Sequence, residues 1–94
     1  MDAFMVVAAF RQGVDMADVL AVVADEQARV EELRREGSLG AIYLATAARG
    51  TVFLEVFAES SPDALATVSR LPMSRWWDID VFPLNTPAVA GPAQ

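Results

Sequence analysis

Residues 3–10, AFMVVAAF, form an unbroken apolar run, closed by Arg11–Gln12–Gly13. A run this short, bounded by a turn signal, reads as a strand buried on both faces. Three similar segments follow: LGAIYLAT at 39–46, TVFLEVFA at 51–58 and WWDIDVF at 76–82. The loop AARG joins the middle two as a hairpin. Strands that are apolar on both faces are the strongest constraint in this chain, because each face of their sheet must then find a cover.

Two helical segments separate the strands. Residues 17–36 carry Asp15 at the N-cap position with Asp18 three residues later, and Gly37 follows EELRRE as a stop. At ~100° per residue, Met16, Val19, Leu20, Val23, Val30 and Leu33 fall on one stripe. In SSPDALATVSRLP, Ser61 is read as the N-cap, with Pro62 in the first turn and Asp63 at the positive helix end. Leu65, Val68 and Leu71 are its expected buried stripe, and Pro72 its end. The order βαββαβ predicts an α+β, ferredoxin-like sandwich: a four-stranded antiparallel sheet with two helices on one face. Residues 1–84 would form this domain, and 85–94, rich in Pro, Ala and Gly, an irregular arm. Apolar residues make up 54% of only 94 residues, more than so small a globule can hide. The expectation is a homodimer or higher homo-oligomer, sheet packed on sheet into a barrel.

Composition excludes much chemistry. A net charge of −6 opposes binding to nucleic acid or to an anionic membrane. Cysteine and histidine are absent, and all seven basic residues are arginine. Disulfides, thiolate metal sites, an imidazole base and a lysine Schiff base are therefore out of reach. No phosphate loop or nucleophile elbow is present. The N-terminus lacks a positive leader and a run long enough to span a bilayer, so the cytoplasm is the expected compartment.

What chemistry remains must come from polar residues that interrupt apolar patterns. Glu55 lies mid-strand between Phe53 and Phe57. It is either paired, with Arg11 or Arg49, or a general acid or base lining a pocket. Glu26, Gln27 and Arg34 fall within the buried helical stripe. Arg34 can snorkel, while Glu26 and Gln27 suit a pocket wall, with the Tyr43 hydroxyl as a further polar group. In the last strand Trp76, Asp78, Asp80 and Phe82 would share one face, and Trp77, Ile79 and Val81 the other. The aspartates are either a solvated rim or a pocket mouth roofed by Trp76. Arg75 beside the tryptophans, or Arg34, could hold an anionic substrate.

The segments VDMADV and ADEQARVEELRREG, followed by LPMSRWWDIDV, resemble the muconolactone delta-isomerase family. That family lies within the wider dimeric α+β barrel group that includes YciI-like proteins. The resemblance runs to about Leu84. It implies a ferredoxin-like fold and a cytoplasmic oligomer that shifts a lactone double bond by proton transfer, without metal or cofactor. Glu26 matches the acid of the family's helix motif. Gln27 stands where the catabolic enzymes carry a lysine, the expected polar residues of their first strand are missing from FMVVAAF, and the histidine of YciI-like members has no counterpart. Two readings follow. One is a cofactor-free isomerase or cyclase acting on a small lactone or enolisable acid through Glu26 or Glu55. The other is a non-catalytic small-ligand binder or accessory barrel. A monooxygenase-like barrel acting on aromatic polyketides is a third.

Overall fold

A computed structural model describes residues 1–45 and 50–84. The expected arm at 85–94, and all of the hairpin loop except Gly50, lie outside the described residues. The elements run β1 (Asp2–Phe10), α1 (Met16–Leu20), α2 (Val23–Arg35), β2 (Leu39–Ala45), β3 (Thr51–Ala58), α3 (Ser61–Val68), a 3-10 turn (Pro72–Trp76) and β4 (Trp77–Pro83). The sheet order is β2-β3-β1-β4, and all neighbours are antiparallel. This is the expected ferredoxin-like α+β fold, with a third helix.

The register gives each face of the sheet its own composition. Ile42, Leu54, Val6 and Val81 make one cross-strand row, on the face that α2 and α3 cover. Phe4, Val6, Ala8, Leu54, Val56 and Trp77 are buried there against Leu33, Ala64, Val68 and Leu71. Tyr43, Phe53, Val7 and Asp80 make the neighbouring row on the opposite face, which no described element covers. Period-two alternation is the cause: a sheet residue shares its face with every second neighbour along the strand.

Three expectations about the helices need correction. The first helix is broken. Val22 leaves the helical region (φ −109, ψ 9) and caps α2 without a side-chain bond. The helix is interrupted at Ala21–Val22, so the expected single stripe is not continuous. Val19 and Leu33 are buried, Val23 and Val30 half-buried, while Met16 and Leu20 are 51% and 68% exposed. The second helix starts one residue early. Ser60 is the N-cap, its Oγ accepting from the Asp63 N–H at 3.2 Å. Its buried residues are Ala64 and Val68, with Leu65 turned outward and Leu71 buried beyond the helix end. Pro72 does not end this helix, which stops at Val68; it opens the 3-10 turn. Proline disfavours a helical conformation in the residue before it, and Leu71 is extended (φ −77, ψ 130). Trp76 therefore sits in the turn rather than in β4.

Gly37 does close the first helical unit. Its φ of 82° lies in the left-handed region that glycine enters without steric cost. The Gly37 N–H donates to Arg34 C=O and the Ser38 N–H to Leu33 C=O, both at 3.0 Å. This is the Schellman pattern, and it delivers the chain directly into β2.

Candidate functional site

Between α2 and the sheet lies a cavity of about 280 Å³. Helix α2 contributes Val23, Glu26, Gln27 and Val30. The floor is Ile42 and Leu44 of β2 with Val52 and Leu54 of β3. Met73 of the 3-10 turn and Trp77 of β4 complete it. The helical spacing i, i+3, i+4, i+7 sets 23, 26, 27 and 30 on one side of α2, so Glu26 shares the inward face with Val30 and Leu33. A second cavity of about 330 Å³ shares Val23, Leu44, Val52 and Met73 with the first and extends under α1 to Phe10, Met16 and Val19. The shared walls make one apolar cleft of the size that small ligands occupy.

Glu26 is the one ionisable side chain lining the first cavity among the described residues. Its carboxylate accepts the Met73 backbone N–H at 2.9 Å. That bond fixes one oxygen, and Met73 is placed to donate by the turn that Pro72 opens. Burial among apolar side chains raises the Glu26 pKa above its ordinary value, and the Met73 bond offsets part of the rise. A half-buried carboxyl with a raised pKa is a stronger base than an exposed one and can both take and return a proton. Gln27 is more exposed and borders the same cavity.

The remaining sequence candidates lie elsewhere. Glu55 is on the uncovered face of the sheet. Between Leu39↔Val56 and Ile42↔Leu54, Gly40 and Ala41 together oppose Glu55 alone, a β-bulge. Such a bulge takes one residue out of the regular ladder. The Ala41 N–H is satisfied by Glu55 Oε1 at 3.1 Å, rather than Glu55 being paired with Arg11. Its other suggested partner, Arg49, lies outside the described residues. Tyr43 shares the uncovered face and is 63% exposed. Arg34 is exposed near the end of α2. Arg75 stacks on Trp76 at 5.0 Å and donates Nε to Pro72 C=O at 3.1 Å. Trp76 is half-buried in the turn. Neither arginine, nor Tyr43, nor Trp76 lines the Glu26 cavity. Asp78 does not form a pocket mouth; it lies 3.9 Å from Arg11 in an exposed pair.

Sequence reasoning missed Met73 and Trp77 as cavity walls, and missed the work of Arg11. The Arg11 guanidinium donates to the backbone carbonyls of Trp77, at 2.8 Å, and Arg75. It thereby ties the end of β1 to the entry of β4. Alternation along β4 had already grouped Trp77 with Ile79 and Val81; the missing step was which face met the helices.

No group of residues that could hold a metal ion occurs among the described residues. No helix among them is long and apolar enough to cross a membrane.

Comparison with known proteins gives a consistent result. The family model for muconolactone delta-isomerase matches residues 3–88. The crystal structure of muconolactone isomerase at 3.3 Å resolution is similar to this chain with a TM-score of 0.74 and 23% identity. The match covers 98% of this chain and 97% of that one. No curated protein matches the sequence.

Proposed function

The chain belongs to the muconolactone delta-isomerase family, and from that premise we propose that it is a cofactor-free isomerase or cyclase moving a proton on a small lactone or enolisable acid. The observation that carries this reading is the Glu26 carboxylate, half-buried in an apolar cleft and anchored to the Met73 N–H. In the proposed step Glu26 removes a proton from a carbon next to a carbonyl. The C–H electron pair enters the ring as an enolate, and the same carboxyl returns the proton at the far end of the conjugated system. The double bond moves, and the atoms and charge balance.

Glu26 is the proton carrier in this reading and Glu55 a structural acid. The expected result is that Glu26→Gln lowers turnover of an unsaturated lactone by about a hundredfold or more, while Glu55→Gln retains it. Loss of activity in Glu55→Gln alone would reverse the assignment. A wild type that binds lactones without converting them would favour the non-catalytic binder, for which the apolar cleft suffices.

The working form would be a cytoplasmic homo-oligomer built on the uncovered sheet face. Support comes from Met5, Val7, Phe53 and Phe57, half-buried there, with Tyr43 and Phe82 more exposed beside them. An apolar sheet face of this kind calls for a partner, and a second copy supplies the same face.

A further inference from the structure

The 3-10 turn that meets Glu26 has little of its own to hold it in place. Leu71 before it and Trp77 after it are buried, but none of the residues Pro72–Trp76 between them is. The Ser74 N–H donates to Leu71 C=O at 3.0 Å and Arg75 Nε to Pro72 C=O at 3.1 Å. Those bonds shape the turn without fixing where it sits. Ser74 Oγ, 3.2 Å from Ser69 C=O, ties it only to the segment it has just left.

The anchor on the far side is Arg11. Three successive carbonyls, those of Arg75, Trp76 and Trp77, accept from this one residue. Its guanidinium donates to the first and, at 2.8 Å, to the third, and its backbone N–H donates to the second at 2.9 Å. A planar guanidinium holds two acceptors in a fixed relation, which a lysine ammonium does not. On the other side of the turn the Met73 N–H meets Glu26 Oε1 at 2.9 Å. Arg11 and Glu26 grip the same short segment, although Arg11 does not line the cavity.

We infer that Arg11 is a positioning residue for Glu26, acting through the 3-10 turn: its hold on the three carbonyls keeps the Met73 N–H against the carboxylate. The consequence for catalysis rests on the isomerase reading. Removing the guanidinium leaves the Arg11 N–H bonded to Trp76 C=O, so the pairing of β1 with β4 survives while the turn gains freedom. A carboxylate whose partner wanders is aimed less well at a substrate carbon, and small misplacements cost rate. No other titratable group faces Glu26 from the described lining, which draws on α2, β2, β3, the turn and β4. Its neighbours on α2 and the turn are engaged elsewhere or exposed: Arg29 pairs with Glu32, Arg75 stacks on Trp76, and Asp25 is exposed.

The test follows the Met73 amide by NMR in the full ¹⁵N-labelled chain across the carboxyl titration. In wild type this proton should move downfield as Glu26 ionises, a movement absent in Glu26→Gln. In Arg11→Met the movement should fall by about half or more, as a charge-assisted bond is weakened. Arg70→Met, which removes another exposed arginine, bonded to Glu36, should titrate as wild type does. On an unsaturated lactone, kcat should fall about tenfold in Arg11→Met with KM little changed, and should hold in Arg70→Met. If Arg11→Met does not fold, Arg11→Lys, which keeps the charge but not the fork, takes its place with the same expected direction. A wild-type Met73 signal indifferent to Glu26, an Arg11 variant that titrates as wild type, or an equal loss in Arg70→Met overturns the inference. So does an unchanged kcat in an Arg11 variant whose Met73 response is lost. If that response is lost as expected but every chain is inert on lactones, the hold on the turn stands and the isomerase reading falls.

Discussion

Glu26 is acidic by composition but half-buried in an apolar cleft by position. Its ordinary pKa is 4.5, and burial raises it. Because the folded state binds this proton more tightly than the unfolded chain, stability falls as pH rises from the unfolded value through the folded one. Glu26→Gln removes that penalty while keeping an oxygen acceptor for the Met73 N–H. The variant should be more stable than wild type at pH 7, with the difference vanishing below about pH 4, beneath the unfolded carboxyl pKa. Paired urea denaturations at the two pH values check this. A wild type that is the more stable partner at neutral pH would contradict it. In the same framework, kcat/KM should rise with pH along a limb lying above the usual carboxylate range, since the ionised form is the base. Gln27 and Glu26 were legible as pocket candidates because both interrupt an apolar stripe. Trp77 was not, since a core indole and one that also walls a cavity share the same sequence pattern.

Helix α2 and the β2 bulge show how elements set those residues in place. Leu33 is fully buried and holds α2 on the sheet beside the cavity. Leu33→Ala should cost about 2–5 kcal/mol, read as a lower denaturation midpoint with an unchanged slope. At the bulge, a Cβ built on Gly40 would come within 2.3 Å of Glu55 Oε1 and 3.0 Å of a Phe57 ring carbon. Glu55 can yield only by releasing the Ala41 N–H. Gly40→Ala should therefore destabilise by about 1–3 kcal/mol. Combined with Glu55→Ala, the effect should be less than additive, because the two side chains compete for one space. Strict additivity in a double-mutant cycle would refute the coupling. The helix stop at Gly37 was readable from sequence, because the left-handed region selects glycine. The break at Ala21–Val22 was not, since valines are tolerated within helices and no Pro or Gly marks the position.

At the scale of the molecule, one sheet face has helices and the other has none among the described residues. The proposed second copy covers the bare face, where Val7 and Phe53 are register partners. Val7→Arg would bring two guanidinium groups into that contact in each dimer. The expected outcome is a monomer by light scattering at micromolar concentration, where wild type is dimeric or larger. A wild type that is monomeric and soluble at that concentration would remove the sheet-on-sheet dimer. The acids of this face are Asp78 and Asp80 on edge strand β4 and Glu55 on central β3, whose carboxylate accepts the Ala41 N–H.

The sequence by itself determined the strand count, the βαββαβ order, the Gly37 stop and the short list of acids from which a proton carrier could come. These follow from periodicity, from backbone preferences local to a few residues, and from the absence of histidine, cysteine and lysine. Tertiary structure alone placed Glu26 on the cavity wall and Glu55 outside it. Both carboxylates interrupt apolar patterns, and period alone cannot say which side of a sheet meets the helices. The register and the bulge turned Glu55 to the bare face, where it meets the Ala41 N–H. The helix break and the Pro72 turn brought Glu26, Met73 and Trp77, distant in sequence, around one cavity.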